Sequence, residues 1–371
     1  MLSLTICQTG KDRQAFEDVA EALNGHQPAF VPPFPGSVAK YLSAKSAFLT
    51  RHGEIFPIIA HRDGKPVGRI AAIVNRTHNE YYHDKTGFFG FFECEENAET
   101  ATALVEKAKE ILRGKGLETI RGPYNPSIND ECGLLVSGFD QPPYIGLTWN
   151  PPFYEKLVLN SGFSEVRRLL GFSVSVTDMV IPPRLKPIAE RVARRSKLRL
   201  RQIDLKHLEK DLEIIREIYN NTLERNWGFV PISMEDLMFA ADDMRAIADP
   251  EMILIAESDG ERAGVALTLP NFNEILIHIK KTPRWLRPLH VLWLMKTRRI
   301  KSSRQVVYGI SPRFRDRGLH GWLFYQQLAV AKGLYERAEL GWIEENNEEI
   351  LSNAHMIGAP YRKWSIYEQA L

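Results

Sequence analysis

Two stretches of the chain share one plan, and that repetition limits what it can fold into. Residues 55–75 read IFPIIAHRDGKPVGRIAAIVN, and residues 252–271 read MILIAESDGERAGVALTLPN. Each is an apolar run, an Asp-Gly pair and a second apolar run opened near a Gly, the pattern of a tightly turned β-hairpin. Asp63-Gly64 and Asp259-Gly260 lie 196 positions apart, as do Gly68 and Gly264. Such hairpins are common, so the continuation matters more. In the first half, GFFGFFE (87–93) leads into a segment whose Ala101, Leu104, Val105, Ala108, Ile111 and Leu112 recur at helical spacing. ETIRGPYN, PPFYEKLVLNSGF and RRLLGFSV then read as strand, helix and strand. In the second half, QVVYGIS (305–311), LHGWLFYQQLAVAKGLYER, AELGWIEE, NEEILSNAHMIGA and RKWSIYEQ repeat that order. Gly116 and Gly333 are expected to stop the two long helices.

The join falls near 177–199, where a proline pair precedes a basic helix. LRLRQIDL opens the second copy, 207–225 reads as its first helix, and Ser233 is an N-cap for the next. The expected class is α/β (α+β), with two tandem domains at 1–178 and 179–371, each a mixed, mostly antiparallel sheet flanked by helices. At 371 residues, 44% hydrophobic and 25% charged, the chain is long enough for two such cores. A net charge of +2 provides no global field for DNA. Three scattered cysteines form no CxxC pair, which fits a reducing compartment. No apolar stretch reaches membrane-spanning length and the N-terminus is unlike a signal peptide, so a cytoplasmic protein without a membrane span is expected. No metal-ligand spacing occurs; His278 and His290 do not form one.

The stretch ISPRFRDRGLHGWLFYQQL (310–328) carries the most chemistry. A Gly-containing loop entering a helix aims unpaired N–H groups and the positive end of the helix dipole at one point, which suits a pyrophosphate. Arg315 and Arg317 add charge-assisted donors. With a strand before it and Arg-x-x-Gly within it, this stretch resembles the GNAT acyltransferase superfamily, although His320 stands where a second Gly or Ala is usual. RIAAIVNRTHNE, RGPYNPSINDECGLL, NPPFYEKL and ERNWGFVP resemble, more narrowly, a bacterial family of two-copy GNAT proteins.

The resemblance implies an N-acyltransferase that uses acetyl-CoA or a longer acyl-CoA and acts by direct transfer on a small amine or amino-acid-like acceptor. It implies a cofactor site at Ile310, Ser311, Arg315, Arg317, Gly318, Leu319, His320, Gly321 and Asn347. Glu344 and Glu345 are base candidates, and Tyr361 is one substitute for an acid that the family usually carries elsewhere. Asn226, Trp227 and Phe229, on the loop after the first helix, and Asn125, Asn129 and Glu131, in NPSINDEC, are acceptor-site candidates; core packing and a self-bonded turn are the alternative roles. Glu93-Cys94-Glu95-Glu96 replaces the phosphate loop in the first copy, so that copy is not expected to bind CoA.

RWLRPLHVLWLM (284–295) lies among Lys280, Lys281, Arg298 and Arg299. It reads as a lid over an acyl chain, an interfacial patch or a packed helix. Two other readings stay open: a non-catalytic acyl-CoA-binding module, and a Fem-type aminoacyl-tRNA-dependent transferase. A homodimer also stays open.

Overall fold

The computed structural model describes residues 1–245, 247–315, 317–355 and 358–371. In the first half the elements run β1 (Leu2–Ile6), α1 (Gly10–Asn24), α2 (Ser37–Tyr41), β2 (Gly53–Arg62), β3 (Lys65–Asn75), α3 (Arg76–Tyr82), β4 (Thr86–Cys94) and α4 (Ala98–Gly114). β5 (Thr119–Gly122), β6 (Tyr124–Asn125), β7 (Glu131–Cys132), β8 (Leu134–Ser137), α5 (Tyr154–Asn160) and β9 (Ser164–Ser175) complete it. The second half has α6 (Leu185–Arg195), β10 (Leu198–Gln202), α7 (Leu208–Leu223), α8 (Met234–Met244), β11 (Ile253–Ser258) and β12 (Glu261–Pro270). An insertion, α9 (Asn273–Leu276) and α10 (Arg287–Thr297), comes next. β13 (Ser302–Ile310), α11 (Leu319–Leu334), β14 (Arg337–Glu344), α12 (Glu348–His355) and β15 (Arg362–Ala370) close the chain.

Both predicted hairpins form. Asp63 and Gly64 have φ of 51° and 79°, and Asp259 and Gly260 have 50° and 81°. Positive φ at both central residues gives the turn whose twist matches the flanking strands. Ser233 caps α8 in a capping box with Asp236. Gly116 ends the first long helix with φ 77°. Gly333 does not end the second: α11 continues to Leu334 and stops at the extended Tyr335, because a glycine with helical neighbours is tolerated within a helix.

The two copies do not build separate sheets. One 13-stranded sheet runs β1-β2-β3-β4-β5-β15-β9-β14-β13-β12-β11-β10, and β8 also pairs with β15. β15, from the end of the chain, lies between β5 and β9. β9, from the end of the first half, lies between β15 and β14. Each flank is thus completed by the other half's closing strand. β15 is covered on both faces: Arg362, Trp364, Ser365, Ile366 and Tyr367 are all fully buried. Burying each of the large apolar side chains among them contributes on the order of 2–3 kcal/mol. Helices cover the rest of the sheet. α4 and α5 pack on one face of the first flank and α1 on the other. α6 and α11 pack on one face of the second flank and α7 on the other. Among the described residues no helix is long and apolar enough to cross a membrane.

Candidate active site

The parallel strands β13 and β14 pair only from Ser302–Gln305 to Arg337–Leu340. Beyond that point β13 follows β12 to Ile310 while β14 follows β9 to Glu344, so the two strands splay apart. A bulge marks the vertex, where Val306 is 42% exposed. The Ser311 N–H donates to Ala263 O at 2.9 Å. Successive residues of a strand turn their N–H groups to opposite sides, so Tyr308 and Ile310 direct theirs into the opening. This corrects the expectation for Ser311, whose N–H already has a partner.

α11 starts at the mouth of this opening. Its N-cap, Gly318, has φ 79° and, as a glycine, makes no side-chain cap. A Cβ on Gly318 would lie 3.1 Å from Val192 of α6, so the basic linker helix rests against the loop. Arg184, Lys186, Arg191, Arg194 and Arg195 of that segment are exposed. Arg315 donates to Asn221 O of α7 at 3.1 Å, and Arg317 lies over the Phe314 ring at 5.4 Å. Asp316, between them, lies outside the described residues. Leu319 is buried, whereas His320 and Gly321 are exposed. The His320 carbonyl accepts from the Tyr308 hydroxyl at 2.6 Å, and the two rings lie 5.0 Å apart. The side chain at the irregular motif position is thereby turned toward Tyr308.

The same opening in the first copy is filled. β4 and β5 pair over Thr86–Phe88 and Thr119–Arg121 and then part, but β6 lies in the gap. Asn125 Oδ1 accepts from Phe91 N–H at 2.6 Å, and a Cβ on Gly90 would come within 1.6 Å of Tyr124 O. Asn125 is therefore a plug in the first copy, a correction to its reading as an acceptor contact. At the corresponding loop of the first copy, Glu93 turns inward to Asn24 Nδ2 at 2.7 Å, the Tyr154 hydroxyl at 2.9 Å and Arg69 at 3.5 Å. Burial raises the Glu93 pKa, and the Arg69 charge opposes that rise. Glu95 accepts from Thr100 at 2.7 Å and Arg62 at 3.3 Å, and Asn97 caps α4. The helix start is satisfied by the chain itself.

The two loops proposed for the acceptor do meet. A Cβ on Gly228 would lie 2.8 Å from Ile128, and Asn129 bonds Val230 O at 3.0 Å and the Tyr219 hydroxyl at 2.8 Å. Both groups of the Asn129 amide are thus used, the nitrogen on the facing loop and the oxygen on α7. Trp227 lies between the Arg121 and Arg167 guanidinium groups, each 5.1 Å from its ring. The backbone N–H of Trp227 donates to Glu344 at 3.4 Å, and Glu344 pairs with Arg167 at 3.3 Å. Asn347 reaches Asn226 at 3.5 Å. Glu344, Trp227, Asn226 and Asn347 therefore form one group at the end of β14. Phe229 is excluded from it: it is buried against Tyr81, and its carbonyl holds the Tyr82 hydroxyl at 2.9 Å. Glu131 pairs with Asn125 in the small β6–β7 sheet, and exposed Glu345 pairs with half-buried Arg168 at 3.7 Å.

Tyr361 leads to a residue the sequence reading missed. Its hydroxyl is buried, faces Glu339 of β14 and lacks hydrogen-bond geometry to any described partner. Glu339 is fully buried, and among the described residues neither carboxylate oxygen meets hydrogen-bond geometry, although the Tyr361 hydroxyl faces it. Burial pushes its pKa up to about 7. The Tyr361 hydroxyl and the charges of Arg304 and Arg362 oppose that shift. Arg304 and Glu339 form the register pair just before the vertex. Gln305 points the other way, toward Gln327 of α11 at 3.4 Å. Glu339 therefore lies at the vertex on the α7 face of the sheet. The signal in the sequence was an acid between two apolar residues, Ala338 and Leu340, at the start of a strand.

No family model matches the chain. Over 380 residues it is 29% identical to a protein from Caulobacter vibrioides named bacterial ceramide synthase, covering 100% of this chain and 98% of that one. It is also 29% identical to protein YghO of Escherichia coli strain K12 over 366 residues, covering 97% and 93%. A solved tandem GNAT protein from the clavulanic acid biosynthesis pathway superposes with a TM-score of 0.58 at 12% identity, covering 100% of this chain and 98% of that one. With two copies of one plan, one strand splay left open and a helix that starts at Gly318 after it, the chain has the tandem GNAT fold.

Proposed function

We propose that the chain is an acyl-CoA-dependent N-acyltransferase whose second copy does the chemistry and whose Glu339 takes the proton from the acceptor amine. The observation that carries this reading is a fully buried, desolvated carboxylate at the vertex of an open splay. A base works best with a pKa near the working pH, and Glu339 at about 7 meets that condition. The residues fit the co-substrate. The start of α11 after Gly318, with the positive end of its dipole, suits the pyrophosphate, and the cations of α6 lie beside it. The N–H groups of Tyr308 and Ile310 suit the amide and carbonyl groups of the pantetheine arm. The thioester supplies the acyl group. The amine nitrogen bonds the acyl carbon, the C–S bond breaks, the amine proton goes to Glu339 and CoA leaves with the sulfur electron pair. Trp227 and Glu344 line the acceptor side.

A ceramide is an N-acylated long-chain amino alcohol. The full-length similarity to the Caulobacter protein supports that acceptor class and a long acyl chain. The test is release of CoA thiol from long- and short-chain acyl-CoA over a panel of long-chain amino alcohols and small amines. Turnover is expected with the long-chain amine, falling as the pH drops through about 7 because the base becomes protonated. Glu339→Gln should lower kcat by about 10²–10⁴-fold with little change in KM for acyl-CoA. Acyl-CoA binding by calorimetry without thiol release for any amine would mean a binding module instead.

A further inference from the structure

We propose that α10 and the turn before it form a docking face for an anionic lipid bilayer. The helix has two apolar sides. Val291 and Leu294 turn inward onto Phe272, Ile275, Leu276 and Ile279. The other side faces solvent: Trp285 is 78% exposed, Leu289 64%, Leu292 57% and Trp293 58%. These four recur at i, i+4, i+7 and i+8, so they form one stripe. A folded chain rarely leaves two tryptophans and two leucines together in water, and such a patch marks a binding surface.

The charge around the stripe selects the occupant. From Ile275 to Ser303 the sequence has eight Lys or Arg and no Asp or Glu. Lys281, Lys296, Arg298 and Arg299 are exposed there, and none pairs with a carboxylate among the described residues. Arg298 bonds the His278 ring at 2.9 Å, and Arg299 bonds the Leu334 carbonyl at 2.9 Å, so their partners are uncharged. Tryptophan with leucine and a basic rim suits the headgroup layer, where each Lys or Arg near the surface contributes about 1 kcal/mol. A second copy placed on the same face would set one basic rim against another.

The geometry also gives the docking a direction. β13 begins shortly after α10 and ends before the α11 loop, and its splay opens only beyond Gln305. An acyl-CoA with its phosphates at Gly318 would thus point its acyl end back toward α10. Val306 lies about 13 Å along the strand from Ser302. This direction rests on the acyl-CoA reading; the docking does not.

The experiment is co-sedimentation of the full chain with vesicles of phosphatidylglycerol and phosphatidylcholine, against phosphatidylcholine alone. Tryptophan emission is followed, and light scattering reports the oligomeric state. Binding to the anionic vesicles with a blue shift is expected, weakened by salt. It should fall at least tenfold in Trp285→Ser/Trp293→Ser and in Lys296→Glu/Arg298→Glu, with melting temperature and acyl-CoA binding retained. Equal binding by wild type and both variants, or no binding to anionic vesicles at low salt, would overturn the proposal. So would a dimer that the tryptophan variant dissociates. Vesicle binding by a chain that fails to bind acyl-CoA would reject the enzymatic reading and leave the docking face standing.

Discussion

Glu339 sets two demands against each other. The proposed role as a base requires it to be ionised, yet its surroundings favour the neutral form. Its pKa is about 7 in the folded chain against the ordinary 4.5. The stability it allows is therefore fully present below the unfolded value and is lost as pH rises through about 7. At 1.36 kcal/mol per pKa unit the loss is on the order of 3 kcal/mol. Glu339→Gln removes the ionisation. Urea unfolding should show the variant gaining on the wild type by up to about 3 kcal/mol at pH 8, with the gap closing toward pH 5. A gap that stays constant across this range would mean that Glu339 is not the titrating group. Such a substitution would stabilise the fold at pH 8 and lower turnover together, the trade-off expected of a desolvated catalytic group.

The strand splay is the element that separates the two copies. Both have parallel strands that part after three or four residue pairs. Only the second remains open; in the first, Asn125 holds the bulge N–H of Phe91. Asn125→Ala leaves that donor unpaired, which costs about 1–3 kcal/mol. The expected result is a lower unfolding midpoint with unchanged acyl-CoA affinity in calorimetry. A large loss of affinity without destabilisation would instead place Asn125 in the working site. The acids of the first loop are read the same way: Glu93 and Glu95 are held by Arg69, Tyr154, Arg62 and Thr100, and serve the core and the helix start.

The exchange of closing strands joins the whole molecule. Neither half completes its flank alone, because β15 lies between β5 and β9, and β9 between β15 and β14. Further ties cross the halves: His52 with Asp236 at 2.8 Å, Arg287 with Glu21 at 2.7 Å and Lys280 with Gln27 O at 2.9 Å. Calorimetry should therefore show one cooperative unfolding transition, and a 1–178 fragment should not reach a native, dispersed NMR spectrum. Two separable transitions, or a folded fragment, would mean that the shared strands contribute little.

The repeated plan was legible because hairpins and helices announce themselves locally. Asp-Gly at positive φ, the helical spacing of Ala101–Leu112 and the Ser233 cap each depend on neighbours in sequence. The Arg315–Gly321 loop was legible for the same reason: strand, glycine and helix are consecutive. What only the tertiary structure decided rests on long-range pairing. Strand exchange depends on which edges meet, and β9 and β15 read alike in either arrangement. Asn125 became a plug, and Ser311 lost its expected role, through hydrogen bonds to residues on other strands. Glu339 looked like one acid among several in AELGWIEE. It became the base candidate because burial, which no local pattern specifies, removed its water and left it at the vertex of the open splay.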